Sequence, residues 1–127
     1  MGMVIEGTVS KGLGEGAFFM SMPHYKNEIK SKLGFEAYPG TLNAKIKENR
    51  DELLKNTKPI QIIGYISSNK KFGGASCYKA KIKNINGAVI VPDINKNPQD
   101  ILEFIAPVHI KSALNLEDND EIEIEIL

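Results

Sequence analysis

Residues 121–127 read E-I-E-I-E-I-L. In an extended chain alternate side chains point to opposite faces, so Ile122, Ile124 and Ile126 share one face and the three glutamates share the other. Such a segment has one buried and one wet face, the pattern of an antiparallel sheet. Working back along the chain, E-D-N-D at 117–120 supplies the turn into this strand, and Pro107 followed by V-H-I-K-S-A-L-N-L predicts a short helix opened by proline. Residues 93–100 are polar and turn-rich, as in a surface loop. Two apolar runs, 77–82 and 85–91, flank Asn84 and predict a hairpin whose second arm stops at Pro92, which has no N–H to give a ladder. Earlier strand candidates are 3–9, 17–22 (A-F-F-M-S-M), 41–46 (T-L-N-A-K-I, after the turn pair Pro39-Gly40) and 60–66, the last followed by turn residues 67–71. Behind Pro23, Tyr25, Ile29 and Leu33 recur every four residues and Gly34 stands where a C-terminal cap is wanted, predicting a helix over 24–33. Residues 48–58 are charged and fit either a short helix or a loop. About seven strand candidates and two short helices, without a βαβ rhythm, predict one mostly-β domain over residues 1–127, built as a closed, antiparallel-rich barrel.

Composition narrows the function classes. The 127 residues carry 16 Lys and Arg against 16 Asp and Glu, with one Cys, two His and no Trp. A net charge of zero argues against a protein that coats nucleic acid. The balance is uneven, because six acidic residues and no Lys or Arg lie in 117–127, leaving residues 1–116 cationic, as suits a chain that accepts a nucleoside triphosphate. Cys77 has no partner for an internal disulfide, and one Cys with two His cannot build a tetrahedral zinc site without carboxylates. Both facts fit a reducing setting. The opening M-G-M-V-I-E-G reaches a charge at Glu6, so neither a signal peptide nor a membrane span is expected, and a cytoplasmic protein is.

Three segments are more specific than a core requires. G-L-G-E-G at 12–16 places glycines at alternate positions, so backbone N–H groups can converge on an anion, although a glycine-rich hairpin turn has the same composition and neither phosphate-loop motif is matched. In P-G-T-L-N at 39–43, Thr41 and Asn43 are two apart on a strand, so their oxygens share a face opposite Leu42. Two neutral oxygens are a poor metal site alone, and a reasonable one for Mg²⁺ when phosphate oxygens and waters complete the shell. Two polar residues on a wet strand would look alike. In E-F-I-A-P-V-H-I-K at 103–111, Glu103 precedes an apolar stretch that would desolvate it, raising its pKa and making it a proton acceptor; a solvated glutamate is the plainer reading. His109 and Lys111 are equally compatible with ordinary surface positions.

Together these segments resemble the archaeal CTP-dependent riboflavin kinases. The resemblance rests on V-S-K-G-L-G-E-G-A-F-F at 9–19, G-F-E-A-Y-P-G-T-L-N at 34–43, G-A-V-I-V-P at 87–92 and I-L-E-F-I-A-P at 101–107, followed by a helix and the E-D-N-D-E turn. It implies a small six-stranded Greek-key barrel of the cradle-loop (RIFT-like) type that moves the γ-phosphate of CTP to the 5′-hydroxyl of riboflavin, giving FMN and CDP. By the same resemblance Leu13, Gly14, Glu15, Gly16, Ala17 and Phe18 would line the nucleotide, with Val108, His109, Ile110 and Lys111 as a second contacting stretch. Thr41 and Asn43 would hold Mg²⁺, the polar loop 93–100 with Asn95 in it would border the flavin, and Glu103 would contact the flavin or its ribityl chain and act on its hydroxyl. Three positions depart from the family pattern: Ala17 stands where a basic residue is common, Asn95 where threonine is, and Lys111 where arginine is usual. Lysine keeps the charge and loses bidentate phosphate binding.

Two other classes fit parts of the chain. Small barrels whose last strand follows an L-x-x-x-D-x-(D/E) turn, like residues 116–121 here, also occur among swapped-hairpin DNA-binding regulators, which would be dimers with a basic face. A carrier that binds FMN without catalysis is the other. On the kinase reading the partners are CTP, CDP, riboflavin and FMN, with neither nucleic acid nor membrane, and no long apolar surface stretch asks for more than a monomer.

Overall fold

The computed structural model describes residues 2–12, 20–95 and 97–127. The alternating segment behaves as its pattern requires: β9 (Glu121–Ile126) buries Ile122, Ile124 and Ile126 and pairs antiparallel with β1 (Met3–Ser10), Ile5 opposite Ile124. β1 pairs on its other edge with β2 (Leu42–Ile46), and β2 with β8 (Ile101–Ile105). β8 then pairs with β7 (Ile85–Pro92), and β7 with β6 (Ala75–Ile82) across the expected hairpin. Ala80 and Lys81 of β6 meet Ile126 and Glu125 of β9, which closes a barrel of six antiparallel strands. Closure covers the edges that β9 and the end of β6 would otherwise expose.

Three helices accompany the barrel among the described residues. α1 (Pro23–Leu33) is the expected amphipathic helix, ended by Gly34 at φ 83°, a left-handed conformation that glycine adopts without a Cβ penalty. α2 (Arg50–Leu54) resolves the charged stretch as a helix, capped by the Asn49 side chain accepting from the Glu52 N–H at 3.1 Å. α3 (Ile110–Ala113) is a single turn at the expected place.

Four expectations change. The apolar stretch 60–66 is broken: β3 (Ile60–Ile62) pairs with residues 75–77 of β6, whereas β4 (Tyr65–Ser67) turns through Ser68 and Asn69 into β5 (Lys70–Phe72), a separate two-stranded hairpin. Both turn residues have positive φ, the geometry that matches strand twist in a tight hairpin. Of the strand expected at 17–22, Met20 and Ser21 are helical, and residues 17–19 lie outside the described set. α2 adds a third helix to the expected two. Finally, β8 is a strand where none was expected, because I-L-E-F-I is apolar on both faces and lacks a period of two.

That double-sided burial follows from two cores. Leu102 and Phe104 of β8 and Val89 of β7 point into the barrel with Ile5, Val9 and Ile124. Ile105, Ala88 and Ile90 point outward under Tyr25, Ile29 and Leu33 of α1, together with Ile62 and Cys77. Burial pushes the Cys77 thiol up to about 12. Glu28 anchors α1 over this second core, accepting from Lys32 Nζ at 2.8 Å and from the Ile63 N–H at 2.9 Å. These two bonds hold its carboxyl below the usual glutamate range, the Lys32 bond contributing most.

Candidate functional site

β2 enters the barrel wall with Leu42 and Ala44 inward, so Thr41 and Asn43 look outward together. Register then brings in a carboxylate from far along the chain: Asn43 lies opposite Glu103 of β8, and Leu42 opposite Phe104. Thr41 Oγ1 donates to Glu103 Oε2 at 3.0 Å. The second carboxylate oxygen accepts from Asn97 Nδ2 at 2.6 Å. Glu103 is thus held by an oriented donor on each oxygen, both on half-buried residues.

Beside this group opens a cavity of about 460 Å³, lined by Ser10 at the end of β1 and the two residues after it, by residues 38–43, and by Phe104, Ala106 and residues 108–111. Asn43 Oδ1 is buried there with no hydrogen-bond partner among the described residues. An unpaired buried carbonyl oxygen costs roughly 1–3 kcal/mol unless something occupies it. Gly12 passes so close that a Cβ in its place would overlap the Asn43 side-chain amide, which would have to swing aside to admit it.

The opposite wall comes from residues 106–111. The Tyr38 N–H donates to the Ala106 carbonyl at 2.7 Å, and the Tyr38 ring lies 5.2 Å from the His109 ring. His109 Nδ1 is 2.6 Å from Ser112 Oγ. Lys111 Nζ donates to Asp118 Oδ1 at 2.8 Å, and Lys11 Nζ stands 4.0 Å from Oδ2 of the same carboxylate. The Lys111 bond, ahead of the charge of both lysines, holds the Asp118 carboxyl below its ordinary range.

The structure therefore gathers Thr41, Asn43, Val108, His109, Ile110 and Lys111 around one cavity, with Glu103 joined to it through Thr41. Ile110 contributes mainly to the barrel core, being 4% exposed, so what it offers the cavity is backbone. Leu13, Gly14, Glu15, Gly16, Ala17 and Phe18 lie outside the described residues. Asn95 spends its Oδ1 on the Asn97 N–H at 2.9 Å, shaping the loop. Tyr38 and Lys11 are additions that sequence reading missed, and Asn97, inside the loop expected beside the flavin, was not singled out as a partner of Glu103. Asn97 sits in a stretch of similar polar residues with nothing in spacing to mark it; Lys11, beside the glycine cluster, could have been noticed as a cation near a candidate anion loop.

Residues 9–126 match the family model CTP-dep_RFKase, described as "Domain of unknown function DUF120". The chain belongs to the CTP-dependent riboflavin kinase family. Among curated proteins similar to it is a protein named "Riboflavin kinase" from Methanosarcina acetivorans, 42% identical over 93% of this chain and 51% of the relative. Others with that name are from Methanosarcina mazei, at 40% identity over 93% of this chain and 54% of the relative, and Pyrobaculum aerophilum, at 43% over 95% and 59%. The chain spans somewhat more than half the length of these relatives. The match to this riboflavin kinase family takes in both walls of the cavity and the Glu103 cluster. Among the described residues no helix is long and apolar enough to cross a membrane.

Proposed function

We propose that this chain transfers the γ-phosphate of CTP to the 5′-hydroxyl of riboflavin, giving FMN and CDP, with Mg²⁺ as the metal. The observation that carries the reading is the juxtaposition of Thr41, Asn43 and Glu103: two neutral oxygens and a doubly held carboxylate at the edge of a cavity. The unpartnered Asn43 Oδ1 fits a hard cation, which takes oxygen ligands. Among the described residues no three His, Cys, Asp or Glu side chains gather into a metal cluster, so the cation would sit on Thr41 and Asn43 with phosphate oxygens supplying the charge. When bound, Mg²⁺ would neutralise charge on the triphosphate.

The chain's own residues account for the rest. Glu103 accepts the proton of the riboflavin 5′-hydroxyl as that oxygen bonds to the γ-phosphorus and the bond to CDP breaks. Thr41 and Asn97 fix the orientation of the carboxylate so that it need not reorganise when the hydroxyl arrives. Lys111 and Lys11, at the cavity mouth, supply positive charge for the phosphates. Burial between Tyr38 and residues 106–111 offers the base an amphipathic wall. A cytoplasmic setting and small-molecule substrates, without nucleic acid or membrane, complete the reading, with the chain acting as a monomer.

Incubating the protein with riboflavin, Mg²⁺ and each of the four nucleoside triphosphates in turn, with FMN and nucleoside diphosphate read by chromatography, tests this. FMN and CDP in equal amounts from CTP are expected. Flavin binding without any FMN from any donor would make the chain a carrier and overturn the proposal.

A further inference from the structure

Arg50 is the one buried charged residue among those described, 4% exposed at the start of α2. A buried guanidinium is costly unless its donors are satisfied. Here one of its nitrogens is spent on a single piece of backbone. Nη1 donates to the Pro98 carbonyl and to the Ile101 carbonyl, each at 2.9 Å, and the Arg50 N–H donates to the Gln99 carbonyl at 2.7 Å. Nε reaches Asp51 Oδ1 at 3.2 Å, whose other oxygen accepts from Gln99 Nε2 at 3.2 Å. Residues 98–101 are therefore wrapped around one side chain.

This wrapped segment separates Asn97 from Glu103, the pair joined by the 2.6 Å bond. The distance between the loop carrying Asn95 and Asn97 and the strand carrying Glu103 is set by how residues 98–101 are folded. An aliphatic side chain could fill the space at position 50 without the cost of a buried charge, but it would leave the Pro98 and Ile101 carbonyls without the donor that ties them together. We infer that Arg50 is a positioning residue for the phosphoryl-acceptor side of the site, holding Asn97 against Glu103 by clamping both ends of the connecting segment. The inference rests on the proposed kinase reading only for its kinetic consequence. The clamp itself is testable without turnover.

Lysine keeps the charge, but its ammonium sits on a shorter stem and has no Nε–H, so it cannot serve the Pro98 and Ile101 carbonyls and Asp51 from the place of the guanidinium. In Arg50→Lys the Asn97 side-chain amide, followed by ¹⁵N NMR in ligand-free protein, is expected to exchange with water several-fold faster than in wild type. With riboflavin and CTP, kcat is expected to fall about tenfold to a hundredfold and KM for riboflavin to rise, with KM for CTP unchanged. Amide exchange as in wild type, or equal losses on the donor and acceptor sides, overturns the clamp. Wild-type protein that makes no FMN would sink the kinase reading while the exchange measurement still decides on Arg50. Pro98→Gly loosens the same segment without disturbing the buried charge, and guards against Arg50→Lys failing to fold. The same faster exchange is expected there, and wild-type exchange in a folded Pro98→Gly protein overturns the proposal.

Discussion

Thr41 and Glu103 are 62 residues apart in sequence and 3.0 Å apart in space, hydroxyl to carboxylate, because β2 and β8 run side by side in the barrel wall. Neither strand alone carries the group. Their register makes it.

Glu103→Gln keeps the size of the side chain and can still accept from Thr41, while removing the ability to take a proton. Turnover of riboflavin is expected to fall by roughly two to four orders of magnitude, the range for general acid–base catalysis, with KM for CTP little changed. A steady-state rate equal to wild type would reduce Glu103 to a binding residue.

Asn43 supplies an oxygen that nothing else in the described protein uses. Asn43→Ala should raise the Mg²⁺ concentration for half-maximal activity by about tenfold to a hundredfold, at least what loss of a residue supporting a metal ligand costs elsewhere. Gly12→Ala should move the same quantity in the same direction, since its Cβ would displace the Asn43 amide. Metal titrations superimposable on wild type in both variants would take Asn43 out of the metal site.

Asp118 engages Lys111 and neighbours Lys11, both of which line the cavity, and on the proposed reading it would compete with an incoming triphosphate for them. Exposed ion pairs are weak and screened by salt, so Asp118→Asn should lower KM for CTP by no more than about fivefold, and added salt should erase the difference. A KM that rises instead would mean that Asp118 aims Lys111 at the phosphates.

The pH dependence of stability has a clear sign at Glu28. Its carboxyl is held below the ordinary glutamate value by the Lys32 ammonium and the Ile63 N–H. A group whose folded pKa is depressed contributes stability above its unfolded pKa and loses it as pH falls through the folded value. Glu28→Gln should therefore be less stable than wild type at neutral pH, by up to about 1 kcal/mol, and the gap should narrow below about pH 4. Urea unfolding at pH 7 and pH 3 measures it; a gap that is constant with pH would remove Glu28 from the linkage.

Much of the architecture was legible in residue order. The alternation in 121–126, the four-residue recurrence of Tyr25, Ile29 and Leu33, and the Asn84 hairpin all depend on local periodicity, and each emerged as expected. What escaped did so for identifiable reasons. β8 is buried on both faces, by the barrel on one side and α1 on the other, and so carries no alternation. The run 60–66 divides where His24 and Glu28 of α1 take up the carbonyl and N–H of Ile63, long-range partners that no window around Ile63 reveals. At the site, the shared face of Thr41 and Asn43 was readable from a spacing of two, and the family resemblance pointed to Glu103.

By itself, then, the sequence determined which faces are apolar, where turns and caps fall, and which residue types are available for phosphate and metal chemistry, because these depend on neighbours within a few positions. Only the tertiary structure decided which of them meet. Strand register set Glu103 beside Asn43, the chain's exit from β1 pressed Gly12 onto the Asn43 amide, and the buried fork of Arg50 held Asn97 within reach of the carboxylate. Most of those contacts join segments far apart along the chain, and the pairing of β2 with β1 on one edge and β8 on the other is what brings them together beside the cavity.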